Sequence, residues 1–345
     1  MPTYRGEMPS AEARDKLRQS MIARLPQGQQ RVIDLMTKVN AKYVPSGRDK
    51  VIKETFDRYL TWTLTELRYR PGKGQAMYVT GESGAGKTDV VDRLLRTHEA
   101  MQPMEMEMGT FLPYVSVSLD GRSSLANLGN DILHKAGYVA RRKIAESDVW
   151  PMLPAELAMR GIFVIHIDET QHLLQSAFER KKLDSSLKGL MNDPEWPMRF
   201  ILSGMPETND LLVSDEQAER RNFSVELPAI DMNQERFLVE KIIRQLCEEA
   251  EFDCDALIKS DVPQRIAHAA NYQFGRVVEI TLSGIQECAM AGATELVREH
   301  LAKAYLYHSH TRGRDDMNPF LADGWASLRP GYYIIEKEKM IGTKK

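Results

Sequence analysis

The sequence predicts an α/β protein, a parallel sheet flanked by helices and followed by a small all-helical domain. Three observations predict it. Between residues 75 and 230, short apolar runs alternate with amphipathic runs, and strands separated by helix-length segments pair in parallel through crossover helices. The octapeptide GESGAGKT, Gly81 to Thr88, sits between one such strand and its helix. From about Met232 onward the pattern turns wholly helical.

Residues 1–45 are charged and helix-prone, with a Pro-Gly break at LPQGQQ, and read as an N-terminal helical arm. The next segment sets Val51, Phe56, Leu60, Leu64 and Leu67 near helical spacing, with Ser46 and Asp49 as N-cap signals. QAMYVT is a short strand and TDVVDRLLRTHEA a helix that begins inside the glycine loop. MQPMEMEMGT reads as a surface loop. LPYVSVSL is a second strand, SSLANLGNDILHKAG a helix stopped at Gly137, and GIFVIHIDE, MRFILSG and NFSVELPAI are three more strands. The expected organisation is an arm at 1–45, an α/β domain at 46–231, a helical lid at 232–311 and a tail at 312–345.

Of the 345 residues, 42% are hydrophobic and 28% charged, ordinary values for a chain with a full core. The net charge of −3 means that any nucleic-acid contact must come from a local basic patch. Cys247, Cys254 and Cys288 have no metal-ligand spacing, and so sparse and odd a count suits reduced thiols. The polar N-terminus lacks the apolar stretch of a signal peptide, and no apolar run approaches the ~20 residues that cross a bilayer. A cytoplasmic protein is expected.

Gly81, Glu82, Ser83, Gly84, Ala85, Gly86, Lys87 and Thr88 fit GxxxxGK[ST], a phosphate cradle flanked by a strand and a helix. Its glycines let backbone N–H groups turn inward around phosphate oxygens, and the helix aims its positive end at the same anion. Lys87 is expected to reach the β- and γ-phosphates of ATP and Thr88 to hold Mg²⁺. The octapeptide alone also resembles the phosphate loop of myosin motors, but that likeness stops at these eight residues.

Eighty-one residues beyond Lys87, the apolar strand IFVIHID ends in Asp168 and Glu169. That distance leaves room for two intervening strand–helix units. Asp168 is expected beside Mg²⁺, and Glu169 is expected to orient and polarise the attacking water. Ser203 closes the strand MRFILS and suits a polar sensor near the γ-phosphate. Arg220 and Arg221 precede the last strand, where an arginine commonly faces a neighbouring subunit's nucleotide. Arg276, opening a lid helix after Gly275, suits a second sensor. Val44 and Arg48, upstream of the cradle, are the expected adenine wall.

This order of motifs, spanning roughly residues 44–300, resembles the AAA+ superfamily on its initiator-like side. The segments IDETQHLL and ILSGMPETNDLLVSDEQAERRNFSVELPAI narrow the resemblance to the TniB/TnsC family of transposon target-selection ATPases, relatives of MuB. The resemblance implies an AAA+ parallel sheet with a helical lid, and an oligomeric ring or filament assembled with ATP on double-stranded DNA without regard to sequence. It further implies a protein that links a target-selecting adaptor to a DDE transposase, with hydrolysis driving disassembly. Nothing in the chain reads as a DDE triad. Basic residues at Arg122, at Arg141, Arg142 and Lys143, and at Arg180, Lys181 and Lys182 are the candidate phosphate contacts. The aromatics of NPF, GW and GYY in the tail suit either a docking peptide or packing on the lid. A replication initiator or helicase loader, and a signalling scaffold without DNA, remain the alternatives.

Overall fold

The structure, a computed structural model, describes residues 10–66, 76–107, 109–121, 123–140, 142–174, 176–209, 211, 222–308 and 315–331. They fall into two units, one of residues 45–229 and one formed by the chain before and after it.

The α/β unit opens with α3 (Gly47–Glu66), the third helix of the chain. The Asp49 carboxylate accepts from the Ser46 N–H and hydroxyl, which fastens the helix start as the sequence suggests. The buried stripe is Ile52, Phe56, Tyr59, Leu60 and Thr63, while Val51 and Leu64 are half exposed and Leu67 lies outside the described residues. The expected stripe mixed two faces: a helix turns 100° per residue, and 52, 56, 59, 60 and 63 share one side.

The sheet contains β1 (Ala76–Gly81), β4 (Tyr114–Ser118), β5 (Val164–Asp168), β6 (Arg199–Gly204) and β7 (Phe223–Leu227), all parallel, in the order β4-β5-β6-β1-β7. β1, β5 and β6 are buried at every residue, as strands covered on both faces must be. Helices α4 (Lys87–Thr97), α5 (Leu125–Lys135), α6 (Glu146–Ala158) and α7 (Ala177–Met191) are the crossovers. One face is packed by Val115, Ile165, Phe200, Leu128, Leu153 and Leu187, the other by Met77, Val79, Ile201, Phe56, Val91 and Leu95. Register places Val79 beside Ser203 and Ser118 beside Asp168, so the polar strand ends align at the carboxyl edge, where such sheets bind ligands.

One local expectation changes, and one helix had no reading from the sequence. The stretch read as a loop contains a hairpin, β2 (Met104–Met106) against β3 (Gly109–Phe111). Its Met-Glu alternation has the period of a strand, and Gly109, paired with Met106, opens the return strand at φ 129°. Helix α6 carries Pro151 and Pro154, which mask it in the sequence, yet Val149, Leu153 and Leu157 bury one face at four-residue spacing.

The helical unit contains α1 (Ala11–Ile22), α2 (Gln27–Asn40), α8 (Arg236–Ala250), α9 (Asp255–Lys259), α10 (Val262–Ala269), α11 (Phe274–Met290) and α12 (Arg298–His308). Residues 27–44 are part of its core rather than an arm standing apart. Met36, Val39 and Val44 are buried with Leu238, Ile242 and Val277, and Lys38 and Lys42 pair with Glu249. After α12, residues 315–331 pack on the same unit: Phe320 is fully buried, Arg265 donates to the carbonyls of Pro319 and Ala322, and the Trp325 ring lies under the Arg265 guanidinium. Those aromatics serve the lid; residues 332–345, with the GYY tyrosines, lie outside the described residues. Among the described residues no helix is long and apolar enough to cross a membrane.

Candidate nucleotide site

At the carboxyl edge of the sheet, β1 runs into the glycine loop. A Cβ on Gly81 would approach the Leu227 carbonyl oxygen to 2.9 Å, and Gly84 and Gly86 hold φ of 83° and 87°. Those positive angles turn the loop so that α4 starts directly beneath it. Lys87 is 5% exposed, and its Nζ donates to the carbonyls of Gly81 at 2.8 Å and Glu82 at 3.0 Å. Burial pulls its pKa down, while Glu169, Asp168 and Glu82 push the other way. The ammonium thus bonds its own loop, within reach of any anion the loop receives.

Thr88 projects from the first turn of α4, and its hydroxyl donates to Asp168 Oδ2 at 2.7 Å. Asp168 ends β5 and is 2% exposed. Its other oxygen, Oδ1, accepts from the Ser203 hydroxyl on β6 at 2.5 Å. A hydroxyl and a carboxylate at the lip of a phosphate cradle are the hard oxygen donors magnesium takes, in the small number it takes from protein. The residues therefore fit Mg²⁺ accompanied by nucleotide phosphates.

Glu169 follows at φ 56°, a left-handed conformation uncommon for a side-chain-bearing residue. Its carboxylate accepts a close hydrogen bond from Gln171 Nε2 and lies 3.9 Å from His172 Nε2. Gln171 was not singled out from the sequence. Its Oε1 accepts from the Met205 N–H at 3.0 Å, so one amide joins Glu169 to the turn after β6. Its signals were its place two residues past the acidic pair and its presence in the segment IDETQHLL. Gly204 keeps this junction open, since a Cβ there would collide with Gln171 Oε1 and Thr208 Oγ1. Gly204→Ala is expected to cost about 1–3 kcal/mol by overpacking, read as a lower denaturant midpoint at unchanged slope.

The other predicted residues are distributed as follows. Ser203 is fully buried and bonded to Asp168 and His166, so its hydroxyl hydrogen is committed inside the sheet rather than aimed at a γ-phosphate. Arg48 donates to the Pro228 carbonyl at 2.6 Å and the Ala85 carbonyl at 3.4 Å, bracing the loop rather than lining an adenine pocket. Val44 is buried in the helical unit's core, and Arg276 is half-buried on α11 of that unit. Arg220, Arg221, Arg122 and Arg141 lie outside the described residues. Arg142 and Lys143 are exposed and line a polar cavity of about 550 Å³ with Asp131 and His134. Arg180 is half-buried; Lys181 and Lys182 are exposed, and Lys182 pairs with Glu146, three residues past Lys143. The two described basic clusters therefore border one another.

Three solved structures share this architecture. A Cdc6p from Pyrobaculum aerophilum matches with TM-score 0.54 at 13% identity, over 79% of this chain and 70% of that one. The Aeropyrum pernix ORC2 protein, solved in ADPNP–ADP complexes, matches with TM-score 0.52 at 16% identity, over 77% and 70%. A Drosophila ORC solved bound to DNA matches with TM-score 0.50 at 14% identity, over 88% and 69%. Sheet order, phosphate loop and acidic strand end together define an AAA+ ATPase. Residues 47–232, more than half of the chain, match the family model described as bacterial TniB protein, and the chain belongs to that family. No curated protein matches the sequence.

Proposed function

We propose that the protein binds and hydrolyses ATP with Mg²⁺ as a regulator of DNA transposition. In this reading it assembles on double-stranded DNA and links a target-selecting adaptor to a DDE transposase. The observation that carries the ATPase part is the convergence of Thr88 and Ser203 on the Asp168 carboxylate beside a glycine cradle. Membership of the TniB family supports the transposition part.

Thr88 and Asp168 would hold Mg²⁺, whose charge would offset that of the β- and γ-phosphates. The loop N–H groups and the start of α4 cradle the phosphate oxygens. Lys87 exchanges the carbonyls of Gly81 and Glu82 for phosphate oxygens. Glu169, once turned from Gln171, accepts a hydrogen bond from the attacking water and draws its proton. Arg220 or Arg221 completes a neighbouring subunit's site, and Arg276 reaches the nucleotide from the lid. Hydrolysis releases the assembly from DNA.

Contact with DNA is assigned to the bordering clusters, Arg142 with Lys143 and Arg180 with Lys181 and Lys182. They meet phosphates without reading bases. Reversing the charge of Arg180, Lys181 and Lys182 is expected to weaken binding and to reduce the slope of log affinity against log salt by about 0.9 for each phosphate no longer neutralised. An unchanged slope in a duplex-binding titration moves the DNA to Arg142 and Lys143. The whole reading is tested by adding duplex DNA and a non-hydrolysable ATP analogue to the purified chain. A ring or filament on the duplex is expected, along with ATPase activity stimulated by DNA; neither appearing removes the transposition reading.

A further inference from the structure

Behind the metal-binding carboxylate lies a histidine with both ring nitrogens engaged. His166 on β5 is 2% exposed. Its Nε2 is 2.7 Å from Ser203 Oγ on β6, and its Nδ1 is 2.9 Å from Ser116 Oγ on β4. Ser116, His166 and Ser203 thus run across three neighbouring strands and end on Asp168.

The hydrogen-bond directions in this row follow from the chemistry of its members. An ionised carboxylate only accepts, and a serine hydroxyl has one hydrogen. Asp168 Oδ1 therefore takes the Ser203 hydrogen, as Oδ2 takes that of Thr88. Ser203 Oγ can then only accept from His166, which must carry its proton on Nε2. Nδ1 meets the Ser116 hydroxyl at 2.9 Å on the other side.

We propose that His166 is a positioning residue for magnesium binding: through Ser203 it fixes the Asp168 carboxylate so that Oδ2, with Thr88, is presented to the metal. The proposal rests on the reading of Thr88 and Asp168 as the magnesium site. It also gives Ser203 a different task from the expected sensor. The serine hands the orientation set by β5 to the carboxylate two residues further along the same strand. Groups that orient a metal ligand from behind change metal affinity or activity by about 10–100-fold when removed.

The test uses the full chain with His166→Leu and His166→Gln, and a fluorescent ATP analogue titrated first in EDTA and then with added Mg²⁺. Affinity in EDTA is expected to stay within about twofold of wild type, because His166 touches neither the glycine loop nor Lys87. The Mg²⁺ concentration that gives half of the metal-dependent gain is expected to rise about tenfold in His166→Leu. It is expected to return most of the way in His166→Gln, whose amide N–H can replace the ring donor to Ser203. Wild-type Mg²⁺ dependence in His166→Leu overturns the proposal, and so does an equal fall of both variants in EDTA and in Mg²⁺, the mark of a merely structural residue. If wild type gains nothing from Mg²⁺, the magnesium site itself is wrong and the proposal goes with it. Should His166→Leu fail to fold, the ring ¹⁵N shifts of the wild-type chain without nucleotide still decide. A proton on Nε2, the donor to Ser203, is expected, and a bare Nε2 overturns the proposal.

Discussion

Glu169→Gln is expected to bind ATP and to hydrolyse it about 10²–10⁴-fold more slowly than wild type, the range of a lost general base. The amide keeps the size of the side chain but cannot draw a proton from water. Asp168, Thr88 and Ser203 are untouched, so Mg²⁺ and nucleotide still bind. Because release is assigned to hydrolysis, the variant is expected to stay on duplex DNA longer than wild type when ATP is present. In a transposition assay it is expected to lose discrimination between permitted and forbidden targets rather than all activity. The deciding measurement is residence time on DNA: a variant that hydrolyses nothing and leaves as fast as wild type shows that hydrolysis is not the release step.

Lys87→Ala is expected to abolish useful nucleotide binding. Lys87 is the loop's one cation, and its ammonium already sits between two loop carbonyls at the cradle. Hydrogen bonds to charged groups contribute about 1.5–3 kcal/mol each, so losing two weakens ATP binding by about 10²–10⁴-fold. Assembly on DNA is expected to fail with it. Equilibrium binding of a labelled nucleotide measures the effect directly, and wild-type affinity removes the phosphate-cradle assignment.

Much of this architecture was legible because it rests on local signals. Five strands, the glycine loop and the acidic strand end each announce themselves within ten residues. The hidden parts depend on packing between distant residues. Helix α6 was obscured by Pro151 and Pro154, and only its packing through Val149, Leu153 and Leu157 explains why it forms. The place of α2 in the helical unit needs Leu238 and Val277, some 200 residues away along the chain, to be visible at all. In the site, residue types were readable but not their partners. Arg48 looked like a pocket wall because it precedes the cradle, and its two carbonyl acceptors are fixed only by the fold. Ser203 was found by its position at a strand end, whereas its direction is decided by Asp168 and His166 on the neighbouring strand. Gln171 shows the same limit, since a glutamine two residues past an acidic pair has no meaning until Met205 is beside it.

The Arg48 brace has a mechanical consequence. The α/β unit begins at Pro45 and ends at Ala229, so both of its covalent connections to the rest of the chain leave from this corner. Arg48, three residues inside the first, grips the carbonyl of Pro228, one residue inside the second, and with the same guanidinium reaches Ala85 in the phosphate loop. The entry and exit segments are thus knotted to the cradle by a single side chain. A pull on either connector is delivered at this fulcrum, and at Ala85 of the phosphate loop, before it spreads into the sheet.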